Sequence, residues 1–150
     1  MKVFRRILHA TDFSSASRPA LDKAIALAGQ NRATLQIVHV MSPLVLPAGG
    51  DFAFMPAETY QAIDQQARQH TQKELAKLLA RARKAGVRAT AAVLEGSPHE
   101  QVPRAARRAR ADLLVIGTHG RTGVSKLLLG SVAERLVRFS PCPVLTVRGR

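Results

Sequence analysis

Four residues in the last third of the chain have the types and spacing to hold an anion. Gly117, Gly120, Gly130 and Ser131 form the pattern G-x2-G-x9-G-S. An apolar run at 113–116 precedes them, a polar loop links them, and the serine is suited to starting a helix. A strand, a loop and a helix N-terminus in that order aim backbone N–H groups at negative charge. The unpaired amides of the helix's first turn, here those of Ser131, Val132 and Ala133, add to the loop's own. Glycine serves where the backbone takes positive φ or must approach a ligand closely. The pattern is neither the nucleotide P-loop G-x-x-x-x-G-K-[ST] nor the dinucleotide fingerprint G-x-G-x-x-G. Ser131 with Glu134 also reads as a capping box, and the hydroxyl can cap while the amides face an anion. His119 either touches a ligand or orders the loop. Arg121 and Lys126 are candidate counter-charges for phosphate. Near the amino end, Asp12 offers a carboxylate that suits a neutral diol such as ribose and repels phosphate. Its alternative role is to cap the turn after the first strand.

Bond-making chemistry is not expected. The sequence offers no nucleophile–base pair and no carboxylate dyad. His9, His39, His70, His99 and His119 show no zinc spacing. His9 and His39 read as core or end-of-strand residues. The expectation is therefore no catalytic residue and no metal-ligand set. At most a bound triphosphate would be hydrolysed slowly, with Mg²⁺ riding on the phosphates alone. The single Cys142 excludes an internal disulfide and suits a reducing, cytoplasmic setting.

With Ala10-Thr11-Asp12-Phe13-Ser14, His39-Val40 and the closing run Pro143-Val-Leu-Thr-Val147, the glycine pattern resembles universal stress proteins of the ATP-binding type. The resemblance covers nearly the whole chain. It implies an adenine nucleotide alpha-hydrolase-like fold with strand order 3-2-1-4-5. It implies ATP, with phosphates at Gly117, Gly120, Gly130 and Ser131 and ribose at Asp12, following Ala10 and Thr11. It also sets the Val40 backbone beside adenine, with Ile116 adding apolar contact. A homodimer through the last strand, Val144, Leu145, Thr146 and Val147, is implied as well. The function implied is a nucleotide-responsive stress or regulatory binding module.

The elements that must position these residues are legible from hydrophobic period. Strands are expected at 3–10, 33–41, 87–94, 112–117 and 144–148. The first helix is expected from an N-cap at Ser17, with Pro19 in its first turn, to about Gln30. A Pro/Gly-rich segment spans 42–57. A long helix at 58–85 has an apolar face of Ile63, Ala67, Thr71, Leu75, Leu78, Leu79 and Ala82, and Gly86 ends it. Ser97-Pro98-His99-Glu100 reads as a capping box opening a helix to about Ala109. A last helix is expected at 131–139. Strands alternating with helices over 150 residues imply one α/β domain, an open parallel sheet with helices on both faces. The order of the strands does not follow from the sequence itself, but ligands bind where such an order reverses.

The charge balance is unusual. Lys and Arg total 23 against 10 Asp and Glu, a net charge of +13. Hydrophobic residues at 46% and charged residues at 22% are ordinary for a globular chain. The excess raises a second class of function, polyanion or nucleic-acid binding through the arginine face at 104–110, against a plain solvated basic surface. A third reading keeps the glycine motif as structure alone, without nucleotide. No targeting segment is evident, and no apolar stretch approaches the ~20 residues of a membrane helix.

Overall fold

The computed structural model describes residues 3–44, 54–119 and 129–149. In chain order it contains β1 (Arg6–Ala10), α1 (Arg18–Asn31), β2 (Thr34–Met41), α2 (Ala57–Lys84), β3 (Arg88–Glu95), α3 (Pro98–Arg108), β4 (Leu113–Gly117), α4 (Ser131–Phe139) and β5 (Val144–Val147). The strands form one parallel sheet in the order β3-β2-β1-β4-β5, as the resemblance implies. The order reverses between β1 and β4, where His9 stands in register with Ile37 on one side and Val115 on the other.

Alternation along the strands builds two cores. Ile7, Leu35, Ile37, Leu113 and Val115 pack with Ala20, Leu21, Ala24 and Ala28 of α1 and with Leu75 and Ala82 of α2. Leu8, Val38, Leu114 and Ile116 pack on the other face with Val102, Ala105 and Ala106 of α3 and with Ala133 and Leu136 of α4. The central strands are thus buried on both faces, as their unbroken apolar runs predict. Leu8 and Leu114 are in register and fully buried. Truncating either to Ala leaves a cavity costing about 2–5 kcal/mol.

Several local expectations are corrected. β1 begins at Arg6, not Val3, because side chains take the preceding amides. Val3 and Phe4 N–H donate to Asn31 Oδ1 at 3.1 and 3.3 Å. Arg5 and Arg6 N–H donate to the Asp112 carboxylate at 2.8 and 3.0 Å. Asp112 therefore anchors the entry to β1, and β4 starts one residue later. Ser17 precedes α1 but does not cap it. Its backbone is already helical, and its hydroxyl donates to Ser14 O at 2.8 Å inside a short 3₁₀ turn. The capping box at Ser97 is also absent, since the Ser97 side chain caps nothing and its Oγ is buried without a partner.

Helix exits follow one rule with different residues. At the end of α2, Gly86 N–H reaches Arg83 O and Val87 N–H reaches Ala82 O, with Gly86 at φ 78°, the 5→2 and 6→1 pair of a Schellman motif. The same pair closes α1 at Arg32 and α3 at Arg110, where arginines take positive φ of 52° and 49°. Glycine marks only one of these exits. Arg68 of α2 pairs with both Asp64 and Glu95, fastening the helix to the end of β3. Residues 45–53 of the Pro/Gly-rich segment lie outside the described residues. Among those described, no helix is long and apolar enough to cross a membrane.

Candidate functional site

At the strand-order reversal, the carboxyl ends of β1, β2 and β4 and the start of α4 enclose a cleft of about 420 Å³, within the range of small-molecule sites. Ala10, Thr11, Asp12, Val40, Ile116, Gly117, His119, Gly130, Ser131, Val132 and Ala133 all line it. Gly120, Arg121 and Lys126 lie outside the described residues.

The wall after β1 is braced by its own hydrogen bonds. Thr11 N–H donates to Val38 O at 2.9 Å, and Thr11 Oγ1 accepts from Phe13 N–H at 3.1 Å. Asp12 Oδ1 accepts from Ser14 N–H at 2.9 Å, an Asx turn that fixes the carboxylate at the cleft edge. The turn-capping role is therefore real. A carboxylate has further lone pairs, so this bond is compatible with accepting hydroxyl donors as well. Phe13 takes φ 62° and lays its ring against His39, centroids 4.3 Å apart. His39 Nδ1 donates to Thr11 O at 2.7 Å, so the end of β2 holds the β1 loop in place.

Beneath this wall, His9 is fully buried. Its Nδ1 lies 2.9 Å from Val115 O, which makes Nδ1 the protonated nitrogen, and Nε2 has no partner. Burial drives its pKa down to about 4, against the opposing pull of the Val115 carbonyl and the Asp12 charge. The ring is a neutral core residue, as expected, yet only one of its nitrogens is satisfied.

The opposite wall is the start of α4. Gly130, not Ser131, occupies the N-cap position, in extended conformation at φ −60° and ψ 153°. Ser131 is thereby the first helical residue, and the Ser131–Glu134 capping box does not form. Glu134 instead donates its N–H to Gly130 O at 2.9 Å. Gly130 has no side chain with which to cap the helix, and a helix start of this kind suits an anion at the amides of its first turn. Gly130 N–H donates to Thr118 O at 2.8 Å, clamping the helix start to the end of β4. A Cβ on Gly130 would sit 3.1 Å from that same carbonyl, so glycine is favoured here by close backbone approach rather than by positive φ. Thr118 N–H in turn donates to Val147 O at 3.0 Å, tying β5 to the site. His119 Nδ1 lies 2.9 Å from Thr118 Oγ1 at the end of β4.

The floor is apolar, formed by Val40, Val102, Ile116 and Leu136. Asp12 is the one carboxylate among the described lining residues, which include no Lys or Arg. Among the described residues no group of His, Cys, Asp or Glu could hold a metal ion. Sequence reasoning missed Ser17, His39, Ser42, Pro98, Val102, Thr118 and Leu136 as lining residues. Thr118 stood inside the glycine pattern and was open to inference. Pro98 and Val102 arrive from α3 across the sheet face and carry no signal of their own. Gly149 was also missed: a Cβ there would meet Ala16 Cα at 3.1 Å, so the chain after β5 lies directly on the β1–α1 connection.

Comparison with known proteins identifies the family and the fold. The model of the universal stress protein family matches residues 4–148. The universal stress protein MJ0531 of Methanocaldococcus jannaschii is 35% identical over 149 residues, covering 97% of this chain and 83% of that one. The hypothetical protein MJ0577 shares the fold, with a TM-score of 0.81 at 23% identity over 97% of this chain and 96% of that chain. A universal stress protein solved in complex with cAMP has a TM-score of 0.70 at 26% identity and 98% coverage of both chains. On sequence and fold together, the chain belongs to the universal stress protein family.

Proposed function

We propose that the cleft binds an adenine nucleotide, ATP first among them, and that the protein is a nucleotide-responsive binding module rather than a turnover catalyst. The observation that carries this reading is the pairing within one cleft of a helix start that has glycine at its N-cap with the Asp12 carboxylate, over an apolar floor. Those three environments suit three parts of one ligand. The amides of Ser131, Val132 and Ala133 suit phosphate oxygens. Asp12 suits the ribose hydroxyls and repels phosphate, which fixes the ligand's direction. Val40 and Ile116 suit the adenine ring, with Ala10 and Thr11 beside the sugar. The relative that holds cAMP supports an adenine nucleotide in this fold.

In this reading Gly117, Gly120, His119 and Arg121 complete the phosphate cradle, and any Mg²⁺ is carried by the phosphates. The chain works as one domain in the reducing cytosol that its lone thiol suits. Two copies join through β5. The test is to denature the freshly purified protein and identify what it releases. Released ATP, or another adenine nucleotide, supports the reading. An empty protein that takes up no adenine nucleotide, even with Mg²⁺ present, contradicts it.

A further inference from the structure

We propose that the end of the sheet opposite the cleft is a docking face for the phosphate backbone of duplex nucleic acid. In this parallel sheet every strand starts, and every crossover helix ends, at that same end. Arg6 begins β1 and Arg88 begins β3. Arg83 lies in the last turn of α2, Arg107 and Arg108 in the last turn of α3, and Arg110 just beyond it. All six are exposed. Sequence reasoning identified only the α3 group; the fold adds partners from the other end of the chain.

Arg6, Arg83 and Arg88 line a depression of about 460 Å³ with Thr34, Gln36 and Thr90, around an apolar bottom that includes Ile7, Leu35 and Val87. Thr34 is in register with both Arg6 and Arg88, so the two arginines share a sheet face two strands apart, about 10 Å. Each of the three guanidinia is held by a backbone carbonyl. Arg6 Nε donates to Arg110 O at 2.6 Å, Arg83 Nη2 to Ala89 O at 3.2 Å and Arg88 Nη2 to Arg32 O at 3.4 Å. One donor orients each fork, and the remaining N–H groups are left for phosphate oxygens.

The charge is only partly neutralised from within. Among the described residues, Arg81 and Arg138, in the last turns of α2 and α4, pair with Asp22 and Glu134, whereas Arg6, Arg83, Arg88, Arg107, Arg108 and Arg110 take part in none of the ion pairs. The carboxylate at this end, Asp112, is engaged by the amides of Arg5 and Arg6. Complementing helix carboxyl ends explains basic residues in the last turns of α2 and α3. It does not explain Arg6 and Arg88, which begin strands. No aromatic side chain lines the depression, so the platform on which single-strand binders stack bases is missing. A cationic face with hydroxyl and amide donors and no stacking surface fits a duplex backbone read without regard to sequence.

The experiment is fluorescence anisotropy of a labelled random-sequence DNA duplex with the full-length protein over a series of salt concentrations. Arg88→Glu/Arg107→Glu is compared with Lys23→Glu/Lys73→Glu, an equal charge change on the exposed sides of α1 and α2. Thermal melts check that both variants are folded. The expected result is salt-dependent binding whose log–log slope shrinks by about 2 in the first variant. The second variant and added ATP should leave it unchanged. Equal losses in both variants, or no binding at low salt, overturn the proposal. So does displacement by ATP, or tighter binding to polyphosphate or to anionic phospholipid vesicles. None of these outcomes depends on whether the cleft binds nucleotide.

Discussion

At the scale of single residues, His9 gives the clearest physical consequence. Its folded pKa of about 4 lies below the ordinary histidine value of 6.5, so the folded state favours the neutral ring. The unfolded chain binds the proton more readily as pH falls. This group's contribution to stability is complete above pH 6.5 and is lost as pH falls from 6.5 to about 4. The loss amounts to roughly 3 kcal/mol. Urea unfolding at a series of pH values should show His9→Gln with a flatter stability profile than the parent across that window. Parallel profiles would mean that the buried ring does not control it. Ser97 carries a second consequence. Its hydroxyl caps nothing and is buried unpartnered, so Ser97→Ala should be neutral or slightly stabilising. A working N-cap would instead lose about 1 kcal/mol, which the urea midpoint resolves.

At the scale of elements, hydrophobic period located every strand and helix to within about three residues at each end. The long helix expected at 58–85 is α2, Ala57–Lys84, and the last helix is Ser131–Phe139 as expected. What the sequence concealed was chemistry at the ends. Ser97 and Ser131 have the residue types of capping boxes, yet capping depends on backbone angles that neighbours impose. Gly130 takes the extended N-cap conformation because its amide is clamped to Thr118 O, which pushes Ser131 into the helix. Arg32 and Arg110 end their helices in a conformation usually signalled by glycine, and no composition rule marks them. The carboxylate of Asp112, not a longer ladder, holds the start of β1. The lining residues from β1 and β4 were readable from motifs, whereas Pro98 and Val102 needed the three-dimensional packing of α3.

At the scale of the whole molecule, the parallel sheet separates two ends of different character. Strand carboxyl ends and a helix N-terminus gather the cleft, and strand starts and helix exits gather arginines. β5 lies at one edge of the sheet, each of its residues half-buried. Pro143 O and Val147 O accept from β4, which turns the Thr146 amide outward. An exposed edge of this kind favours pairing with a second copy. Sedimentation velocity should find a dimer in the parent and a monomer in Thr146→Pro, which loses the outward N–H but keeps the ladder to β4. A monomeric parent, or a variant that stays dimeric, would remove β5 as the interface.

Calorimetric titration of ATP into the emptied protein, set beside Gly130→Val and Asp12→Ala, decides whether the cleft is a nucleotide site. Valine places a branched side chain against Thr118 O at the start of α4, where even a Cβ would stand 3.1 Å away. A nucleotide site gives saturable binding to the parent, binding abolished in Gly130→Val, and binding weakened about tenfold or more in Asp12→Ala, the scale of a lost charged hydrogen bond. Equal affinity in all three proteins would contradict it and move the search for a ligand away from the cleft.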